Sequence, residues 1–484
     1  MRSAHATPNF AMFGFLVPEI SAAFFPAASP TSSIIEACSV FGGAFLMRPI
    51  GGAFFGHVGD GGRAGALNPH RALEGSLLAM AAPTVLLGCL PSHAQVGIAA
   101  PLALMLVRLG QGFAVGGQLV GAWLVAELHS PTGWKTAYVS MSLSGCVLGS
   151  ALGGAVNFVC RSVFTGKALL AWGWRVPFFF GAALSVAAYI AQRRMRPQED
   201  VNTNLGELDC EVRLESVTDE TCVDGALPVL QVLKKQLADI GAGSLAWGMM
   251  VSGFWTFFVF LPTFQMTTFG MDPVRVAAAN VFSLLALVCA VPVFGISFDW
   301  FCLRMMPGER WHLQSMTLQA TAAVLVALSI GIFQIMARSG TMVALGMQCF
   351  LVVGMAAAAA MLPCWIMALF PAETRYTGVA LCVNLASAFA GALAPSCAAA
   401  LASRDASLTG AFVGLCALCA GAGVHSAQRR AARGAAGVPL GLSPSGGAHG
   451  ADAERRGLSG ERPPEGADAR AGDVVLAATK LGCE

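Results

Sequence analysis

Arg108, Gln111 and Gln118 stand in the run RLGQGFAVGGQ, inside an apolar stretch that carries no other charge until Glu127. On a helix of 3.6 residues per turn, Arg108, Gln111, Val115 and Gln118 share an arc of roughly 80°, while Gly112, Gly116, Gly117 and Gly121 lie on other sides. A guanidinium is a fixed fork of donors matched to a carboxylate, and an amide both donates and accepts. Within an apolar span such groups face a protein interior or a water-filled cavity, so the run reads as a solute or coupling face. The alternative is that Arg108 ties helices together through backbone carbonyls. The glycines let neighbouring helices approach closely.

Other polar residues in apolar runs extend the candidate set. Glu19, in FLVPEISAAF, sits near the middle of the first run, where a carboxyl must be neutral or partnered; Arg48 and Arg108 are candidate partners. Arg48, in RPIGG, fits solute binding and helix packing equally, because Pro49 would bend a helix and Gly51 and Gly52 would seat a neighbour. Asn157, Trp255, Asn280 and Asn384 are candidates to line a cavity, since buried amides and indoles need partners, although each alone also suits a helix–helix hydrogen bond. No nucleophile with an adjacent base, phosphate loop or metal-ligand spacing occurs, so the reading is of a non-enzyme without cofactor or metal. The 15 cysteines are scattered through apolar runs and read as small core residues, Cys416 and Cys419 included.

What must position these residues is a bilayer. Hydrophobic residues make up 56% of the 484-residue chain and charged ones 12%, too apolar for a solvated surface. Runs of about 20 apolar residues, enough to cross the hydrocarbon core, recur between short polar joints. They fall at 8–27, 33–57, 72–91, 98–127, 137–160 and 173–192, and again at 240–268, 275–298, 314–336, 341–370, 376–402 and 407–426. Barrel strands would alternate polar and apolar residues, so the fold class is an all-α polytopic membrane protein with about 12 transmembrane helices.

The organisation is a first set of spans over 1–192, a polar cytosolic linker over 193–237, a second set over 238–426 and a tail over 427–484 whose Gly, Pro, Ala and charge predict disorder. Lysine and arginine concentrate in joints after even-numbered spans, among them Arg63, Arg71, Lys135, Arg193, Arg194, Lys234, Lys235 and Arg310. Both termini are therefore expected in the cytosol. A net charge of +2 gives no reason to invoke nucleic acid. The partners expected are the lipid bilayer and a small-molecule solute, with a proton as coupling ion. The plasma membrane is the default location, and KLGCE at the end does not fit a prenylation box.

RLGQGFAVGGQ, RPIGGAFFGHVGD from Arg48 to Asp60, WGWRVPFF from Trp172 to Phe179 and LFPAETRYTGVALCVNLA from Leu369 to Ala386 occur in that order. Together they resemble the major facilitator superfamily, specifically its metabolite:proton symporter branch, which includes carriers of proline and betaine, shikimate, 2-oxoglutarate and citrate. The resemblance implies two six-helix bundles around a central cavity that opens alternately to either side. One chain suffices to form such a cavity. It also implies a latch, G-x-x-x-D-R-x-G-R-[RK], after the second span. Gly56 and Asp60 match it, whereas Gly61 replaces the first arginine and Arg63 is displaced by one position. The counterpart GISFDWFCLR keeps Gly295 and Asp299 but carries Trp300 and Phe301 where basic and spacer residues are usual. Glu373 and Arg375 would cap helix ends or latch the halves.

Two acids common in that branch are amides here, Asn9 in PNFAMFGF and Gln118. An amide keeps the shape and hydrogen bonds of the acid but carries no proton. The expected function is secondary transport of a carboxylate or zwitterion, proline or betaine on an Arg108–Glu19 pair or a dicarboxylate on Arg108 with Arg48, by proton symport. The alternatives are an uncoupled facilitator, and a sensor or scaffold that binds solute without moving it.

Overall fold

The computed structural model describes residues 12–14, 16–25, 40, 42–61, 68–164, 166–194, 228–271, 273–306, 309–338, 341–402 and 404–435. All secondary structure among them is helical. Ten helices among the described residues are long and apolar enough to cross a membrane. The first two predicted spans contribute the shorter helices α1 (Val17–Phe24) and α2 (Arg48–Gly59). Then come α3 (Pro69–Cys89), α4 (Ala99–Leu128), α5 (Lys135–Val163) and α6 (Val176–Arg194). The later half holds α7 (Leu237–Trp255), α8 (Pro273–Met305), α9 (Arg310–Arg338), α10 (Thr341–Met367), α11 (Arg375–Ala386) and α12 (Ala406–Ala435). Asn9, Arg63 and the tail beyond Ala435 lie outside the described residues, as does most of the expected linker.

Local chemistry sets the helix ends. The Asn68 side chain accepts from the backbone N–H of Arg71 at 3.1 Å, with Pro69 at the first helical position of α3. The helix Leu261–Phe269 that continues α7 stops at Gly270, whose φ of +60° is the left-handed cap that favours glycine. Two helical segments change pitch part-way along. Residues Thr256–Phe260 after α7 and Ser387–Gly391 after α11 are π-helical, a widening often found beside functional sites.

The outward faces carry the residues a soluble protein would hide. Leu102, Met105 and Leu106 on α4 and Phe282, Leu285, Val293 and Trp300 on α8 are exposed, as a lipid-facing surface requires. Inside, glycines replace side-chain contact with backbone contact. A Cβ on Gly51 would overlap the Phe113 carbonyl, and one on Gly116 would stand 2.5 Å from the Arg48 carbonyl oxygen, so α2 and α4 touch main chain to main chain. Across the halves, α5 packs on α8 and α10, and α11 packs on α2 and α4. Residues 228–235, within the expected linker, form a short helix that meets α2 and α11 and buries Val232.

Candidate functional site

A cavity of about 130 Å³ lies between the halves. Arg48 of α2, Val115 and Leu119 of α4, and Leu143, Cys146, Val147 and Ser150 of α5 form one wall; Trp247, Met250, Val251, Phe254 and Trp255 of α7, with Ser387, form the other. Arg48 is the one charged side chain among these described residues. Its guanidinium stands 5.5 Å from the Phe45 ring centre, and Phe45 meets Trp255 edge to face at 5.7 Å. At the other end of the cavity Trp123 of α4 meets Trp247 edge to face at 5.1 Å. The cavity is thus bounded by two aromatic pairs, each joining one half to the other.

Arg48 is held in place from the second half. Its Nε donates to Asn384 Oδ1 of α11 at 3.2 Å, and Asn384 Nδ2 donates to the Gly116 carbonyl of α4 at 2.8 Å. Among the predicted lining residues, Trp255 reaches the cavity and Asn384 reaches its arginine. Asn280 Nδ2 donates to the Phe258 carbonyl at 3.1 Å, inside the second half. Asn157 is buried in α5 and is absent from the described cavity wall.

Arg108, Gln111 and Gln118 are all fully buried, but none is among the described lining residues. Arg108 Nη1 donates to Gln111 Oε1 at 2.8 Å, and Gln111 Nε2 donates to Thr84 Oγ1 of α3 at 3.1 Å. The Arg108 guanidinium also lies 4.2 Å from the Phe13 ring centre, a cation–π distance. Gln118 Nε2 donates to the Ser76 carbonyl of α3 at 3.1 Å. The polar arc of α4 therefore points at α3, and the adjacent Val115 and Leu119 face the cavity. The reason is packing: Gly112 seats the backbone at Ala44 and Gly116 that of α2, which fixes the rotation of α4 about its axis. Glu19 is buried in α1.

Beyond the Trp123–Trp247 pair, two carboxylates bind the starts of helices in the opposite half. Asp60, just past α2, accepts the backbone N–H groups of Tyr376 and Thr377 at 2.8 and 2.9 Å. Asp299, near the end of α8, accepts the N–H of Ala137 at 2.8 Å. Each satisfies first-turn donors left open by α11 and α5 and meets the positive end of the helix dipole. Burial pushes the Asp60 carboxyl up to about 6, with the hydrogen bonds from Thr377 and Tyr376 and the charge of Arg375 pulling the other way.

Further contacts flank both carboxylates. Arg310 Nη1 pairs with Asp299 at 3.0 Å while its Nη2 donates to the Gly133 carbonyl. Arg375 stands 3.8 Å from Glu127, which Lys135 also contacts at 3.1 Å. The Tyr376 hydroxyl donates to the Gly117 carbonyl at 2.7 Å. Arg304 turns to the Trp300 ring, 5.0 Å away. Sequence reasoning missed Arg310, Tyr376, Trp247 and Cys146 as site residues. Tyr376 does lie inside the quoted ETRYTG block, while Arg310 carried only the mark of a cation at a cytosolic joint.

No protein-family model matches the chain. It is 30% identical over 387 residues to an inner membrane metabolite transport protein of Escherichia coli (strain K12), across 78% of this chain and 80% of the relative. It is 29% identical over 405 residues to the citrate-proton symporter of Klebsiella pneumoniae, across 81% and 82% of the two chains. With the proline/betaine transporter of Salmonella typhimurium the identity is 26% over 395 residues, across 81% and 74%. Among solved structures, a major facilitator superfamily proton:xylose symporter aligns with a TM-score of 0.61 at 16% identity, over 89% of this chain and 94% of that one. A bacterial homologue of the iron transporter ferroportin aligns at 0.59 and 12% identity, over 87% and 98%. At these identities the two structures speak to the fold.

Proposed function

Because the chain belongs to the major facilitator superfamily, in its metabolite:proton symporter-like family, we propose that it carries a small organic monocarboxylate or zwitterion by alternating access, in symport with a proton. The observation that carries this reading is Arg48, the one charged group in the described walls of an otherwise apolar and aromatic cavity. Its guanidinium would take the carboxylate by charge-assisted hydrogen bonds, and Trp247, Phe254 and Trp255 would cover the rest of the solute. A cavity of about 130 Å³ is close to the ~150 Å³ that admits benzene, which suits proline or betaine better than citrate. A dicarboxylate needs a second cation, and Arg108 is engaged with Gln111 away from the wall.

The end that holds Asp60, Asp299 and the Glu127–Arg375 pair is the cytosolic one in this proposal, in keeping with the lysine and arginine distribution. The conformation is then closed to the cytosol, with both termini on that side, the plasma membrane as its site and one chain as the working unit. The proton is assigned to Glu19, a buried carboxyl of α1 that can carry one where Gln118 cannot.

A second reading, an uncoupled facilitator, is favoured by the lack of any acid among the described cavity residues. Uptake of labelled L-proline, glycine betaine, shikimate and citrate into proteoliposomes, with and without an imposed pH gradient, tests both. Gradient-driven accumulation that Glu19→Gln abolishes supports symport. Equal rates and final levels in both conditions replace symport with facilitation. Solute binding without uptake replaces transport with a sensor, and Arg48→Gln that binds and transports normally removes the assigned site.

A further inference from the structure

We propose that Asn384 is the positioning residue through which solute binding at Arg48 is coupled to the parting of α11 from α2 and α4; this rests on the transport reading above. Asn384 is 1% exposed and enters from the second half between two helices of the first. Its oxygen accepts from Arg48 Nε and its nitrogen donates to the Gly116 carbonyl. Gly52 leaves the space it occupies, since a Cβ there would stand 2.5 Å from Asn384 Nδ2. Both edges of the amide are used, which serine, alanine or an ionised carboxylate in its place would not reproduce.

Mechanical arrangement gives this pair its consequence. α2 and α4 are joined backbone to backbone at Gly51 and Gly116, so Arg48 and the Gly116 carbonyl move together. α11 belongs to the other half. When α11 moves away, both hydrogen bonds of Asn384 break at once, at a side chain that is buried in this structure. The empty carrier therefore meets a barrier at this point. A solute carboxylate on the Arg48 guanidinium replaces the lost acceptor, and the transition becomes easier with solute bound than without it. That is differential stabilisation of two states by one ligand, the requirement for coupling. Asn384 contributes this without being the solute's own binding group.

The structure also supplies a reporter. Cys146 lines the cavity, and its alkylation by a membrane-impermeant maleimide, followed by peptide mass spectrometry with Cys146→Ser as control, reads opening of the cavity without any solute. The full-length protein is assayed in right-side-out and inside-out vesicles. For Asn384→Ala we expect alkylation of Cys146 from the face that holds Asp60 to rise about tenfold in the absence of solute, the scale of one charge-assisted hydrogen bond. Asn384→Asp supplies a built-in carboxylate to Arg48 and should weaken solute binding about tenfold or more, and solute should no longer change the alkylation rate.

Uptake of labelled L-proline and glycine betaine is measured in parallel. Wild-type and Asn384→Ala proteins with the same alkylation rate on both faces overturn the inference while leaving the transport reading standing. So does Asn384→Asp protein with wild-type affinity. A wild-type protein that neither binds nor moves any of the tested solutes overturns the transport reading, and the solute-free alkylation arm still reports on the strut. A well-folded Asn384→Gln, with its amide one methylene too long, should lie between wild type and Asn384→Ala if hydrogen bonding is the cause. Rates for that variant beyond those of Asn384→Ala would assign the effect to crowding and overturn the inference.

Discussion

Replacing Asp60 with asparagine should move the balance between the structure seen here and one open at the Asp60 end. The carboxylate accepts two backbone N–H groups at 2.8 and 2.9 Å from the first turn of α11. Asparagine keeps one acceptor oxygen and turns an NH₂ towards the second donor. That N–H becomes a buried donor facing another donor, which costs about 1–3 kcal/mol. The closed form should therefore lose about 1–3 kcal/mol at pH 7, a factor of roughly 5 to 150 in the equilibrium.

The same carboxyl gives a pH signature. It titrates near 6 in the closed form, above the 3.8 of a solvated aspartate to which it returns when the clasp opens. The closed form binds the extra proton between about pH 6 and about pH 4, so acidification stabilises it; at 1.36 kcal/mol per pKa unit the gain saturates near 3 kcal/mol. Spin labels on the ends of α2 and α11, read by pulsed dipolar spectroscopy, follow the closed fraction as the pH on the Asp60 side falls from 7 to 4. Wild type should close further with acid, and Asp60→Asn should be more open at pH 7 and lack that part of the pH response. An unchanged closed fraction at pH 7, or the same acid response in both proteins, would refute the assignment of Asp60 as a clasp.

Arg310→Gln removes the cation beside Asp299 and, with it, the bond to the Gly133 carbonyl that crosses between the halves, so it should cost the closed form about 1.5–3 kcal/mol as a lost charge-assisted hydrogen bond; the same spin-label readout between α5 and α8 checks it. Gly51→Ala places a methyl on the Phe113 carbonyl and should lower the thermal midpoint of the detergent-solubilised protein by an overpacking cost of roughly 1–3 kcal/mol. Arg48→Lys keeps the charge but loses the planar fork and the Nε–Asn384 bond, so solute affinity measured by scintillation proximity should fall about tenfold while expression and melting hold.

The long apolar runs made the ten long spans legible, because crossing hydrocarbon demands length and apolarity that composition alone reveals. Helix rotation was not legible. The arc shared by Arg108, Gln111 and Gln118 is a property of α4 alone, but which neighbour it meets depends on where the backbone at Ala44 seats against Gly112 and α2 against Gly116. Val115, on the same arc, reaches the cavity while Gln111 and Gln118 reach α3. Arg48 and Trp255 were legible as candidates because a cation and an indole in apolar spans require partners. Their meeting through Phe45 was not, since it joins α2 to α7.

Long separations hid the rest. Asp60 and Tyr376 are 316 positions apart and Asp299 and Ala137 are 162, so no local pattern announces that each carboxylate caps a helix of the other half. The π-helical turns at Thr256–Phe260 and Ser387–Gly391 leave no compositional mark, because one extra residue in a turn changes spacing and not residue type. The short helix Pro228–Lys235 read as linker because eight residues with two terminal lysines neither span a membrane nor announce that Val232 would be buried.

Asp60 and Asp299 act as two pins, one fixed in each half and seated in the other. A single pin leaves a swivel, and two forbid it: with both seated, α11 cannot turn on Asp60 without dragging α5 off Asp299. Freeing either one alone yields a carrier that pivots and leaks at one seam, and the gap through which a solute leaves appears only when the second follows. Departure from this shape therefore asks both carboxylates to unseat together.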